Sequence, residues 1–251
     1  TGLDATLSSP GAFTVLAPTN DAFDAFLTSI NASSLDDIPV DVLTNVLLNH
    51  VFLGEVQSSS LTNGYASTQA ISNASDTNMS IYINTDNGVT FNGVSSVTTA
   101  DVVASNGIVH IVDSVIGLPT VVTFAIADPN FEILVQALTR DDLTMDFVGL
   151  LNSSTSPPTP LTVFAPVNNA FVNLLDELGF SGLNDIDEPT LSAVLTYHVV
   201  TGANQLSINL SDGMEFTTAG GATLLFNFGD NGEGILTDNN GRTSNIVAVD
   251  V

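Results

Sequence analysis

"FTVLAPTNDAF", residues 13 to 23, returns as "LTVFAPVNNAF" at residues 161 to 171, and the reading of the fold turns on that repetition. Ala17-Pro18 falls on Ala165-Pro166 at an offset of 148, and Phe23, Phe26, Leu27 and Ile30 fall on Phe171, Leu174, Leu175 and Leu178 without a gap. Leu43, Val46, Leu47, His50 and Val51 fall on Leu191, Val194, Leu195, His198 and Val199. A period near 150 is too long for a solenoid unit and matches the size at which a chain builds its own core. Two tandem globular domains follow, residues 1–119 and 120–251.

Composition bounds what such a pair can do. At 44% apolar, the 251 residues supply a core for each copy, and no run of 18 apolar residues is present to cross a membrane. The absence of cysteine excludes disulfides and thiolate chemistry. Against 27 acidic residues stand only Arg140 and Arg242, for a net charge of −25, and both copies share it. That field repels nucleic acid and anionic membrane, and reads first as a solubility adaptation to salty surroundings.

The two copies are cut at different points. The second opens with "TVVTFAIADPNFEILVQALTRDDL", which has no counterpart in the first, while the first closes with "ADVVASNGIVHIVDSVIGLP" and the second stops at "NIVAVDV". The expectation is a window on a longer array, with the opening helix absent from the first domain and the closing strand box absent from the second. The first domain's helical side is then expected to be covered by a neighbouring chain or domain.

Local patterns place helices early in each repeat and strands late. After each Ala-Pro the apolar spacing i, i+3, i+4, i+7 predicts a helix. Asn20 and Asn168 are its expected N-caps, because the alternative, Thr19, becomes Val167 in the second copy and has no acceptor there. A second helix is expected from about Val42 to Val51, with Pro189 in its first turn in the second copy. A third is expected at Asp128-Pro129, burying Phe131, Leu134, Val135 and Leu138. "SIYINTDNGVTFNG" and "TLLFNFGDNGEGILTDNNG" put β-rich runs around Asn-Gly-type turns, and "NGIVHIVDSVI" reads as a buried strand. Helices then strands, twice over, is α+β.

The boxes "FTVLAPTNDAF" and "LTVFAPVNNAF", "LNHV" and "TYHVV", and "NGIVHIVDSVI" together resemble the fasciclin-like (FAS1) domain in both copies. The resemblance implies a wedge-shaped β-sandwich flanked by helices, with an extracellular or cell-surface role in adhesion. The lysine-free, acidic style is similar to bacterial surface or secreted members. Two regions of partner contact are implied by the family: an Asp followed by an aliphatic residue upstream of the last box, carried by Asp101-Val102 and Asp250-Val251, and the Tyr-His region. Tyr197-His198 keeps the second of these, whereas Asn49-His50 departs from it.

Other chemistry is sparse. His50, His110 and His198 are the only histidines, and His198 continues the apolar stripe of Leu191, Val194 and Leu195, so the histidines are expected to be structural. No nucleophile elbow, zincin, P-loop or dinucleotide fingerprint is present, and no enzyme is expected. Asn31, Asn73, Asn78, Asn152 and Asn209 begin N-x-S/T sequons that mark glycans in a eukaryotic source. "NTDNG", "GDNGEG" and "TDNNG" offer oxygen ligands for Ca²⁺ without the EF-hand spacing, so they are read as turns first, and no metal site or cofactor is assigned. The functional expectation is a non-enzymatic adhesion or matrix module contacting other proteins, copies of itself, or acidic glycans bridged by divalent cations. The alternative is a structural repeat of a surface fibre.

Overall fold

The computed structural model describes residues 1–9, 11–152 and 160–250. The chain divides into two compact units, Thr1–Pro119 and Thr120–Val251.

In the first unit a short helix α1 (Leu3–Leu7) precedes strand β1 (Phe13–Pro18) and helices α2 (Asn20–Ser29) and α3 (Val40–Leu48). Then come β2 (Val51–Leu53), β3 (Gly64–Ile71), β4 (Asn78–Asn84), β5 (Thr90–Phe91), β6 (Ser95–Ala104) and β7 (Gly107–Val112). The seven strands form one sheet in the order β2-β1-β7-β6-β5-β4-β3, and its two edge strands come back into contact with each other. Only β1 and β7 run parallel, Phe13 facing Gly107 and Pro18 facing Val112. Gly107 is required there, because a Cβ at that position would collide with the carbonyl of Phe13. Inside lie Leu16, Phe52, Ile81, Ile83, Phe91, Val112 and Ile116, with α2 and α3 packed through Ala22, Val46 and Val115.

The second unit begins with α4 (Val121–Ala127), α5 (Glu132–Leu138) and α6 (Phe147–Asn152), and then repeats the plan. Strand β8 (Leu161–Val163), α7 (Asn168–Leu178), α8 (Glu188–Tyr197) and β9 (Val199–Thr201) lead to β10 (Met214–Thr217), β11 (Thr223–Phe228), β12 (Gly234–Thr237) and β13 (Thr243–Asn245). β8 pairs with β9, and β10 to β13 form a meander in sequence order. Two cores result. Leu134, Leu138, Phe147, Phe171, Leu191 and Leu195 fill the helical one, and Val200, Phe216, Leu224, Phe226 and Leu236 fill the strand side. No helix among the described residues is long and apolar enough to cross a membrane.

The expected helices and hairpins are present, with boundaries that differ for local reasons. The second helix stops at Leu48, and Val51 already belongs to β2: the His50 N–H closes on the Leu47 carbonyl and turns the chain out of the helix. At Asp128-Pro129 a 3₁₀ turn forms first, its N–H of Asn130 capped by the Asp128 carboxylate, and α5 follows. Leu134, Ala137 and Leu138 are buried on α5, whereas Phe131 and Val135 are only half-buried. Helices α4 and α6 carried no distinct signal of their own.

The expected caps are corrected. Thr19 caps α2, its hydroxyl accepting the Ala22 N–H at 3.2 Å, and Asn20 is the first helical residue. Val167 holds the cap position of α7 with no side-chain bond. Asn168 is turned sideways instead, where its Oδ1 accepts the Ile133 N–H at 2.9 Å and its Nδ2 donates to the Pro129 carbonyl at 2.8 Å. The second copy can do without a cap because the same side chain fastens α7 to the 129–133 turn, a partner that the described residues of the first unit do not offer.

That packing also separates the repeats energetically. Phe171 is 2% exposed beneath the α5 layer, while its mate Phe23 is half-buried. Phe171→Ala is expected to cost about 3–5 kcal/mol and Phe23→Ala distinctly less. Thr19→Ala is expected to cost about 1 kcal/mol and Asn20→Ala under about 0.5 kcal/mol, measured by urea unfolding of the full chain. Equal losses at Thr19 and Asn20 would contradict the cap assignment.

Candidate functional site

Three regions carry polar groups in arrangements that recur or are buried: the helix end that holds the repeated histidine, the bulge in β6, and the hairpin tips.

At the helix end, a histidine follows the last turn of α3 and of α8. His50 Nδ1 meets the Val46 carbonyl at 2.8 Å, so it carries the proton, and Nε2 accepts the Ile116 N–H at 2.9 Å. The ring is neutral and joins the end of α3 to the segment after β7. His198 repeats the first bond, Nδ1 to the Val194 carbonyl at 2.8 Å. Burial holds both imidazoles below the ordinary histidine range, against the upward pull of the carbonyl bond.

Beside His50, Asn49 is fully buried: its Nδ2 donates to the Gly117 carbonyl at 3.0 Å and its Oδ1 accepts the Thr68 hydroxyl at 3.1 Å. The departure from Tyr-His in the first copy is therefore a polar staple between β3 and the closing segment. Tyr197, its counterpart, is half-buried and donates its hydroxyl to the Thr223 carbonyl at 2.9 Å. The polar ends of Tyr197 and His198 are both turned inward.

In β6, the pairing with β7 slips between Thr99 and Val102, and Asp101 sits in the slip with φ of 59°. Its carboxylate accepts the Ser58 N–H at 2.8 Å and the Ser58 hydroxyl at 2.6 Å. Its own N–H donates to Nδ1 of the buried His110, whose Nε2 donates to the Val56 carbonyl at 2.9 Å. The Ser58 hydroxyl, then the Ser58 N–H, hold the Asp101 carboxyl below the usual range. Asp250 repeats the clamp on Ser207, N–H at 2.8 Å and hydroxyl at 2.5 Å, with φ of 55°. Asp101 thus ties a strand to a 3₁₀ turn, and Asp250 ties the segment after β13 to the matching turn of the second unit. The aliphatic neighbours point elsewhere: Val102 is exposed and Val103 is 81% exposed. Val251 lies outside the described residues.

At the hairpin tips, the Asp86 carboxylate accepts the Asn63 amide, Glu233 accepts the Asn231 N–H, and Asp238 bonds Arg242 and the Asn240 N–H. These oxygens serve the turns. Among the described residues no three His, Asp or Glu side chains converge on a metal position. An apolar cavity of about 60 Å³ lies inside the first unit between Leu16, Phe52, Leu61 and Phe91, with His110 in its wall. The five sequon asparagines are all exposed, although Asn78 donates its amide to the Thr68 carbonyl and Asn152 accepts the Thr120 hydroxyl; residues 153 and 154 after Asn152 are outside the described range.

Two fasteners escaped the sequence reading. The Thr14 hydroxyl donates to the Gly54 carbonyl and accepts the Val56 N–H, and Thr162 does the same with Ala203 and Gln205. A threonine at the same place in two otherwise apolar strands was the available signal. Arg140 donates from Nη1 to the Leu183 and Ile186 carbonyls while Asp142 holds its other face, and one of only two arginines in an acidic chain was the signal there.

The family model described as "Fasciclin domain" matches residues 1–119 and 129–251. Human periostin is 28% identical over 224 residues, which is 87% of this chain and 23% of periostin. Synechocystis protein sll1483 is 34% identical over 110 residues, 44% of this chain and 57% of that protein. The chain therefore spans less than two thirds of either relative. A solved FAS1 domain pair from the insect cell adhesion molecule Fasciclin I matches 99% of this chain and 86% of its own, with 18% identity and a TM-score of 0.50, a likeness of fold.

The histidine geometry sets a pH response. Unfolded His50 and His198 bind a proton near the ordinary value of about 6.5, whereas in the fold both resist it, so the unfolded state takes up more protons between the depressed folded values and about 6.5. Stability is expected to be level above that window and to fall as pH is lowered through it. His50→Ala should cost about 1–3 kcal/mol at pH 7, by leaving the Ile116 N–H and Val46 carbonyl unpaired, and should flatten the pH dependence of urea unfolding. An unchanged slope in that variant would remove His50 as its source.

Proposed function

Because the chain belongs to the fasciclin domain family, we propose that it is a non-enzymatic adhesion or matrix module acting outside the cell or at its surface. Its partners on this reading are other proteins or copies of itself, and acidic glycans where divalent cations bridge the charge. Support comes from the match of both units to the family model and from a solved fold relative that belongs to a cell adhesion molecule.

The observation that carries the reading to particular residues is the duplicated aspartate–serine clamp. It spends the carboxylates of Asp101 and Asp250 on Ser58 and Ser207 and leaves aliphatic side chains outside. Around it stand Val102 and Val103 in the first unit, and Ile208, 86% exposed, with Val249 in the second. A rigid backbone that presents large apolar groups loses little entropy on docking. The contact assigned to Asp101-Val102 and Asp250-Val251 is thus proposed to be made by the aliphatic residues, with the aspartates as positioning groups.

The charge decides the second condition. At physiological salt fields are screened beyond about 8 Å, yet facing carboxylates still repel at contact. Ca²⁺ accepts about 6–8 oxygens and can share them between two acidic surfaces.

Both points are tested on the immobilised chain, with soluble chain and an acidic polysaccharide as analytes. Val103→Ser and Ile208→Ser are expected to weaken retention several-fold without moving the unfolding midpoint. Millimolar Ca²⁺ is expected to strengthen retention more than NaCl of equal ionic strength. Superimposable Ca²⁺ and NaCl curves would remove the bridging role, and unchanged retention in both variants would place the contact elsewhere. Retention of soluble chain alone, with none of the polysaccharide, would favour the fibre subunit.

A further inference from the structure

Six Asn-Gly pairs occur in the chain: Asn63-Gly64, Asn87-Gly88, Asn92-Gly93, Asn106-Gly107, Asn231-Gly232 and Asn240-Gly241. All are used at turns or strand ends, and by sequence they are equivalent. Asn-Gly is also the pairing most open to a spontaneous reaction, because a glycine without a Cβ lets its backbone nitrogen approach the preceding side-chain amide. The tertiary structure makes the six unequal.

Three of the asparagines are held by their side chains. Asn63 accepts the Thr85 N–H and hydroxyl, each at 2.7 Å, and donates to Asp86 Oδ1 at 2.8 Å. Asn92 is buried and accepts the Tyr82 N–H at 2.7 Å. Asn106 donates to the Leu7 carbonyl at 2.6 Å. Two more have an exposed side chain but a committed glycine: the Gly232 N–H is bonded to the Gly229 carbonyl at 2.9 Å, and the Gly241 N–H to the Asp238 carbonyl at 3.0 Å. Asn87 differs on both counts. It is exposed at the tip between β4 and β5, its side chain has no hydrogen-bond partner among the described residues, and Gly88, which meets Asp86 in an isolated bridge, makes no N–H turn bond of the kind formed at Gly232 and Gly241.

We infer that Asn87-Gly88 is a self-modifying site, at which the chain deamidates selectively through a cyclic imide. The Gly88 nitrogen bonds to Asn87 Cγ, the Cγ–Nδ2 bond breaks, and the departing nitrogen leaves as ammonia with the proton that Gly88 gives up. Water then opens one of the two imide C–N bonds, leaving either aspartate or isoaspartate. Electrons and atoms balance with water as the only co-reactant. Each product adds a negative charge beside Asp86, whose carboxylate holds Asn63, and isoaspartate also adds one carbon to the backbone of the hairpin tip. The site marks the age of the molecule on an exposed loop, without an enzyme.

The test is incubation of the full chain at mildly alkaline pH and body temperature, natively and in concentrated urea. Chymotryptic peptides are then followed by mass spectrometry for a gain of about one dalton, with fragmentation that distinguishes isoaspartate. Natively, Asn87 is expected to convert several-fold faster than any of the other five, and Asn87→Ser to abolish the leading signal. In urea the six should converge. Native conversion of Asn231 or Asn240 at the rate of Asn87 would overturn the proposal, and so would an order that survives urea unchanged.

Discussion

The parallel pairing of β1 with β7 is the constraint on which the first unit depends. It joins segments more than eighty residues apart, the kind of closure whose entropy must be met before any contact rewards it. Phe13 can approach Gly107 only because no Cβ intervenes, and the strands between are joined with them into one sheet. The Leu16 N–H reaches the His50 carbonyl, and the His50 ring receives the Ile116 N–H just beyond β7. One histidine thus couples the helical layer to both strands of the closure. A neutral ring is needed for this, since a protonated one would present a donor to a donor.

The repeated polar bonds show which sequence features are architectural. Thr14 and Thr162 bond alike through the hydroxyl, His50 and His198 through Nδ1, and Asp101 and Asp250 through the carboxylate, each in its own unit. They serve turns, strand ends and helix ends, positions at which backbone groups lack partners from regular pairing. An Asp followed by an aliphatic residue looks like a recognition motif when written as letters. Folded, its carboxylate faces the turn and its neighbours face solvent. The two readings are compatible, because a side chain that locks the backbone determines where the exposed ones stand.

The duplication, the two domains, the α+β order of helices before strands and the hairpin positions were legible in the sequence, because they follow from apolar period and turn chemistry, which act over a few residues. The place of His50 at the end of the apolar run Leu43, Val46 and Leu47 was legible for the same reason, whereas its bonds to Val46 and Ile116 were not. The identity of the cap was not. Thr19 and Asn20 are both good caps, and the choice between them depends on backbone angles at the entry from β1, which a string of letters does not carry. Asn168 was misread because its partners, Ile133 and Pro129, lie more than thirty residues away.

What the sequence determined by itself is therefore whatever is written in local period and in the comparison of one copy with the other. What only the tertiary structure decided is which polar groups are spent. Asn49 is committed inward and Asp101 to a turn at the surface, while Val103 and the Asn87-Gly88 tip are left outside, although each stands among residues of the same kind. The physical reason is that a hydrogen bond is satisfied by whatever the fold brings within about 3 Å, and distance in space is set by closures such as β1 with β7 rather than by neighbours in the chain.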